Sequence, residues 1–143
     1  MDGKDEVWGV NDLCLRRPVD VVFDIHKDFF LHTQLATINY VNEKRIPMIT
    51  HKEEKHIPTS IRFPMEEMHC EYFTSSIAYM IAYAIHEGAT IIDMYGILMG
   101  GNQSEYFVQK PCCEYWIGYA RGKGIEVNLP KFTYLLKYDE IYM

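Results

Sequence analysis

The chain has 143 residues, of which 48% are hydrophobic and 14% aromatic, and these fractions exclude an intrinsically disordered protein. A chain of this length is expected to form one domain, residues 1–143, that is large enough to bury a core. The formal net charge of −6 argues against duplex nucleic acid as a partner, because a broad basic surface is missing. The net charge does not exclude a small anionic ligand, because a helix N-terminus or a few basic side chains can bind one.

The four cysteines, Cys14, Cys70, Cys112 and Cys113, are expected to be reduced thiols of a cytoplasmic protein. The N-terminal segment MDGKDE is acidic and polar and has no features of a signal peptide. Neighbouring cysteines on a helix point about 100° apart, so the spacing does not favour a zinc site and we predict no metal. No apolar run approaches the roughly 20 residues that span a bilayer, so we predict no membrane partner.

The first half of the chain reads as short strands separated by polar connections. The predicted strands cover residues 6–10, 19–24, 45–50 and 59–63, and a weak helix covers 32–43. Pro47 has no amide hydrogen to donate within a sheet. We therefore predict either that the third strand lies near a sheet edge or that the proline is at the start of the strand.

The second half reads as helix, strand, helix and strand. An apolar helix over 75–87 ends before Gly88, and a second helix over 111–123 has Pro111 at its first position. A helix that leads into a buried strand, twice in succession, predicts a parallel sheet with crossover helices. We therefore predict an α/β fold, a three-layer sandwich whose mainly parallel central sheet includes residues 7–10, 19–23, 91–95 and 125–127.

Three further predictions concern packing. The helix over 75–87 is apolar almost all round, and with the tyrosine-rich tail 134–143 it predicts a homo-oligomer. Trp116 follows the apolar spacing of the last helix and is predicted to be buried. Gly118 inside that helix predicts a close approach of another group to the backbone.

Polar side chains gather where the predicted strands end and the helices begin, which is where open parallel sheets bind ligands. The candidate ligand-binding residues are Asn11, Asp24, His26, Ser75, Ser76, Glu105, Tyr106 and Gln109. The negative part of a ligand would face the amides near Ser75 and Ser76. The alternatives stay open that both serines only cap the helix, that Asp24 binds a loop amide and that His26 is a packed side chain.

Asp24 and His26 are the candidates for acid–base chemistry, but no residue is marked as a nucleophile and the catalytic residues stay unknown. The chain has no G-x-G-x-x-G, Walker or G-x-S-x-G motif and no Cys–His pair at motif spacing. We therefore predict no cofactor, and an enzyme is the less favoured alternative.

Four segments carry a resemblance to a known group: VWGVND, VDVVFDIH, FTSSIAYMIAYAIHEGATIIDMYGI and EYFVQKPCCEYWIGYARGKGIEVNLP. They closely resemble small Rossmann-like proteins of bacteriophage genomes, a group without an established activity. The resemblance implies a Rossmann-like fold and a place in the cytoplasm of an infected bacterial host. Longer members of the group begin with a Gly-rich strand and turn that this chain lacks. The group is also distantly similar, in fold only, to sialyltransferase-like and motility-accessory-factor glycosyltransferase folds.

Three functions follow as hypotheses. The first is a phage protein that binds and sequesters a nucleotide-type metabolite or a host immune nucleotide signal, which the missing Gly-rich turn and the missing nucleophile favour. The second is a nucleotide- or nucleotide-sugar-dependent transferase or hydrolase with Asp24 or His26 as the base. The third is a structural or partner-binding phage protein without a small ligand.

Overall fold

The computed structural model describes residues 5–101 and 103–137. Backbone contacts divide the chain into two compact units, Met1–His69 and Cys70–Met143. Each unit is an α/β arrangement, so the predicted fold class is confirmed. The prediction of a single domain stays a prediction. Most of the tail that was expected to support an oligomer, residues 138–143, lies outside the described residues.

The first unit contains an all-parallel sheet in the order β1-β2-β3-β4. Its strands are β1 (Trp8–Val10), β2 (Val21–Asp24), β3 (Met48–Thr50) and β4 (Ser60–Arg62). A 3₁₀ segment, Asn11–Leu15, joins β1 to β2, and the helices α1 (Phe29–His32) and α2 (Leu35–Lys44) join β2 to β3. Four of the five segments predicted for this half therefore contain a strand, and the fifth contains α2.

Both faces of this sheet carry buried side chains. Val22 and Met48 are paired in register and belong to a core formed with the 3₁₀ segment, α1, α2 and the loop before β4. The strands follow one another across the sheet in chain order, and the connections between parallel strands are right-handed. The connecting segments, and the core that they form, therefore lie on one face of the sheet. Phe23 and Ile49 point to the opposite face and are also buried. Burial on both faces explains the nearly continuous apolar character of β2 and β3.

The position of Pro47 is decided by the sheet. β3 lies between β2 and β4, so the structure supports the second of the two predicted alternatives, the proline at the start of the strand, and not an edge position. Pro47 directly precedes β3, and its carbonyl accepts a hydrogen bond of 3.0 Å from the amide of Val22. The proline at the start of the strand supplies an acceptor and needs no donor, which is why an interior strand tolerates it.

The second unit contains α3 (Ser76–His86), β5 (Ile91–Asp93), α4 (Tyr106–Gly122) and β6 (Glu126–Asn128). β5 and β6 are parallel and form a two-stranded sheet of their own. The prediction that they share a sheet with β1 and β2 is therefore wrong within the described part of the chain. The local apolar pattern identifies a strand, but it carries no information about which strand becomes the hydrogen-bonding partner.

The helices α3 and α4 pack on each other in this unit. Trp116 on α4 is only 1% exposed, so its predicted burial is confirmed. Every residue of α3 before His86 is buried or half-buried within the chain. The apolar surface that suggested a subunit contact is thus largely covered already, and the homo-oligomer stays a prediction.

Two predictions about α4 are wrong. The helix begins at Tyr106 and contains Pro111 in its interior, where the proline lacks the amide that would donate to the carbonyl of Phe107. The helix starts earlier because residues 103–108 already form turn hydrogen bonds, such as Val108 N to Glu105 O at 3.2 Å. Within residues 5–101 and 103–137, a Cβ placed on Gly118 would have no neighbour within 4 Å, so the predicted close approach is not found there.

Candidate functional site

A cavity of about 220 Å³ lies at the carboxyl ends of β1 and β2, and we call it the strand-end cavity. All of its lining residues have polar side chains: Asn11, Asp12, Asp24, His26, His32, Thr33, Gln34 and Thr37. A wholly polar lining is unusual next to a core of this kind, because buried polar groups cost free energy unless they are hydrogen-bonded. The cavity therefore marks the place in this unit where polar chemistry is concentrated.

Asp24 and His26 form a hydrogen-bonded pair at the end of β2. Asp24 follows Phe23 in the strand and points to the same face as Val22, towards the segment before α2. Its carboxylate oxygen Oδ1 is paired with Nδ1 of His26. When the carboxylate is ionised and the imidazole is neutral, Nδ1 carries the shared hydrogen and Nε2 is the ring nitrogen left to accept a hydrogen bond. This is the geometry in which a carboxylate orients a histidine for acid–base work.

The second oxygen of Asp24 is also satisfied. Thr33 Oγ1 donates to Asp24 Oδ2 over 2.8 Å. Asp24 is 1% exposed, whereas the side chain of His26 is 31% exposed. A buried carboxylate is tolerated when charge-assisted hydrogen bonds occupy its oxygens, and here both oxygens have a partner. Asp24 thus acts as a fixed support, and His26 is the member of the pair that can meet a ligand.

His32, at the end of α1, stacks on His26. The two ring centroids are 5.0 Å apart and the rings are inclined by 28°. The short helix α1 therefore returns a second imidazole to the mouth of the cavity. Two adjacent imidazoles can donate hydrogen bonds and, when protonated, attract an anion.

Asn11 turns the chain at the end of β1. Its φ of 50° is left-handed, a conformation that asparagine adopts more readily than most residues. The neighbouring Asp12 carboxylate is paired with Arg16 at 3.1 Å, so its charge is partly balanced outside the cavity. The side-chain amide of Asn11 has no such partner within the described residues and is available to a ligand.

The N-terminus of α2 opens at the same cavity. Gln34 is the N-cap residue and makes no side-chain capping bond, whereas its carbonyl accepts from the amide of Thr37 at 3.0 Å, so only the amides of Leu35 and Ala36 lack a capping partner in the described part of the chain. Thr37 lies one turn further on and is 1% exposed, and its Oγ1 is buried without a hydrogen-bond partner in the described residues. An unpaired buried hydroxyl costs about 1–3 kcal/mol. A ligand that engaged Thr37 after a rotation of its side chain would remove that cost.

Cys14, in the 3₁₀ segment after β1, is not a nucleophile for this site. Burial raises the pKa of its thiol, and the nearby carboxylates of Asp12 and Asp24 raise it further, although backbone hydrogen bonds oppose the shift. A protonated thiol is a poor nucleophile. Cys14 instead belongs to the apolar core beneath the cavity.

The structure brings together three of the predicted site residues, Asn11, Asp24 and His26. The other five belong to the second unit. Ser75 is the N-cap of α3 and accepts from the amide of Ala78 at 3.3 Å, so this serine caps the helix.

The remaining predicted residues, Ser76, Glu105, Tyr106 and Gln109, lie in the first turns of α3 and α4. Glu105 is the N-cap of α4 but makes no side-chain capping bond. Neither these four residues nor Ser75 lines the strand-end cavity, and the role of all five in ligand binding stays a prediction.

Sequence reasoning missed His32, Thr33, Gln34 and Thr37 as site residues. The predicted helix over 32–43 placed the first three inside a helix, whereas the structure places them in α1 and in the junction before α2. A usable signal was present, because the loop from a strand's carboxyl end to the next helix N-terminus lies at the ligand-binding edge of a parallel sheet.

Among residues 5–101 and 103–137, no group of three or more His, Cys, Asp and Glu side chains is arranged to hold a metal ion. In the same ranges, no helix combines the length and the apolar character that crossing a membrane requires. Comparison of the chain with protein-family models, with curated proteins and with solved structures finds no match. The geometry of the strand-end cavity therefore carries the functional argument.

Proposed function

We propose that this protein binds a nucleotide-type metabolite and that the strand-end cavity receives the sugar-phosphate part of the ligand. The observation that carries the proposal is a cavity at the strand ends that is lined only by polar side chains, some of which keep hydrogen-bonding capacity. Among the described residues, the groups with free capacity are the hydroxyl of Thr37, the side-chain amide of Asn11 and Nε2 of His26, whose Nδ1 is paired with Asp24.

The charge distribution is compatible with an anionic group. Both carboxylates of the lining are already engaged, Asp24 by His26 and Thr33 and Asp12 by Arg16. The hydroxyl of Thr37 and the side-chain amide of Asn11 can donate, Nε2 of His26 can donate when the ring is protonated, and a helix N-terminus favours an anion by roughly 0.3–1 kcal/mol at an exposed position. The hydroxyls of a sugar can donate to any remaining acceptor capacity of the two carboxylates.

The size of the cavity limits what it encloses. Pockets that hold whole drug-sized ligands measure about 300–1,000 Å³, and the strand-end cavity of about 220 Å³ is smaller. A phosphate with its sugar fits this scale better than a complete nucleotide. Any larger ligand must extend beyond the cavity.

Sequestration, rather than turnover, is the proposed role. The described residues that line the cavity include no cysteine or serine, and Cys14 is buried in the core. The resemblance to phage proteins agrees with a protein that withdraws a host nucleotide signal from its receptor. Binding alone suffices for that task.

The test is isothermal titration with ribose 5-phosphate and with adenosine, guanosine, cytidine and uridine monophosphates. At least one probe should bind, and His26→Ala and Thr37→Val should each weaken its binding by about tenfold. The control is His51→Ala, because His51 lies outside the strand-end cavity. If no probe binds, or if both cavity variants bind as tightly as the unaltered protein, the proposal is wrong.

The pairing of Asp24 with His26 favours a second candidate, a phosphoester hydrolase. In that reaction His26 Nε2 would take a proton from a water molecule whose oxygen attacks phosphorus. The proton would then pass to the departing alcohol oxygen. Mass spectrometry of each probe after incubation distinguishes the candidates, because a binding protein returns the probe intact. Turnover that is lost in His26→Ala would establish the enzyme instead.

A further inference from the structure

A second depression lies directly beside the strand-end cavity, and we call it the α2 groove. It measures about 470 Å³ and shares Thr33 with the strand-end cavity, so a single side chain forms a wall of both. Its lining is mixed in character: Phe30, Thr33, Leu35, Ile38, Asn39, Asn42 and His56. If the sugar-phosphate part of a ligand occupies the strand-end cavity, the rest of the ligand would therefore extend into this groove.

An aromatic platform forms part of the groove. The ring of Phe30 is 59% exposed, although an apolar ring of this size is usually covered. The ring contacts His56, with centroids 5.7 Å apart at an interplanar angle of 75°, and Phe29, with centroids 5.4 Å apart at 89°. These two contacts hold the Phe30 ring in place, while more than half of the residue stays exposed. A positioned and open aromatic ring is what proteins use to stack a nucleobase.

Asn42 adds a directed polar group. Its Nδ2 donates to the carbonyl of His56 over 2.9 Å, and this bond sets the orientation of the amide. Its Oδ1 is buried and has no hydrogen-bond partner in the described residues. The groove therefore contains an oriented acceptor that lacks a donor. The exocyclic amino and ring N–H groups of heterocyclic bases are donors of the required kind.

We infer that the α2 groove holds the planar heteroaromatic ring of the ligand whose sugar-phosphate part occupies the strand-end cavity, an inference that rests on the proposed function. The two volumes together lie within the range of about 300–1,000 Å³ for whole-ligand pockets, whereas the cavity alone does not. A purely aliphatic occupant would leave the oxygen of Asn42 unpaired. A heterocycle can stack on the ring of Phe30 and also donate a hydrogen bond to the oxygen of Asn42.

The test compares the affinities of nucleoside monophosphates with that of ribose 5-phosphate, which has the same sugar-phosphate but no base. At least one of the adenosine, guanosine, cytidine and uridine monophosphates should bind about tenfold tighter than ribose 5-phosphate. Phe30→Ala should remove this advantage and leave the affinity for ribose 5-phosphate unchanged. Phe30→Trp should retain the advantage, because it keeps a stacking surface.

The matched control is Phe107→Ala, since Phe107 is 81% exposed, belongs to α4 and is not one of the residues that line the groove. This variant should bind every probe as the unaltered protein does. If ribose 5-phosphate binds as tightly as every nucleotide, or if Phe30→Ala keeps the advantage, the groove inference is overturned while the proposed function stands. If no probe binds at all, both are overturned.

Discussion

Replacing Trp116 by alanine should strongly destabilise the second unit. The indole is 1% exposed, and its Nε1 donates to the carbonyl of Tyr72 over 2.7 Å. It also stacks on Phe73, with centroids 5.0 Å apart and an angle of 13°. Truncating a buried tryptophan to alanine costs about 3–5 kcal/mol. The carbonyl of Tyr72 also accepts from Sγ of Cys112 at 3.3 Å, so it keeps one donor when the indole is removed. We therefore expect the free energy of unfolding to fall by about 3–5 kcal/mol.

Urea unfolding followed by far-UV circular dichroism measures this loss, provided that the slope of free energy against urea stays unchanged. Trp116→Phe separates the two contributions, because it keeps an aromatic ring and loses only part of the volume and the hydrogen bond. Its expected cost is about 1–2 kcal/mol. Trp8→Phe is the control at a half-buried tryptophan whose Nε1 bonds to the exposed Glu6, and it should cost less than about 1 kcal/mol.

Two results would refute this reasoning. A loss of less than about 1 kcal/mol in Trp116→Ala would mean that the indole is not packed as described. Equal losses in Trp116→Phe and Trp116→Ala would mean that the hydrogen bond, rather than packing of the ring, accounts for the effect.

Three other predictions concern the helix α4 and the cooperativity of the chain. Gly118→Ala should raise the free energy of unfolding by about 0.5–1 kcal/mol, because a Cβ there meets no neighbour, and a lowering would contradict the described surface. Burial raises the pKa of Cys113 to about 11, so iodoacetamide near neutral pH should label Cys70 and spare Cys113 in the folded protein, as peptide mass spectrometry can show. If the chain is one cooperative domain, Trp8 fluorescence in Trp116→Phe should follow the same urea transition as circular dichroism, and two separate midpoints would indicate independent units.

The local elements of this protein could be predicted from its sequence because their causes are local. The apolar run of β2 and the capping serine before α3 each act within a few residues, and both elements appear where they were expected. Pro111 misled the prediction for a local reason as well. Proline favours the first position of a helix, but turn bonds beginning at residues 103–105 start α4 earlier and place the proline inside it.

The sequence by itself determined that a parallel α/β fold would place Asn11, Asp24 and His26 at strand ends, because the end of a strand follows directly from its apolar pattern. Only the tertiary structure decided which groups meet them there. The return of the chain through α1 brings Thr33 to Asp24 and His32 to His26, and these contacts span six to nine residues of irregular chain. The pairing of strands was also decided by the tertiary structure. β5 pairs with β6, and the local sequence pattern of either strand does not indicate this partner. The hydrogen-bonding partners of strands and loops depend on how the chain turns back on itself in three dimensions. The pattern of apolar residues along the sequence does not predict those turns.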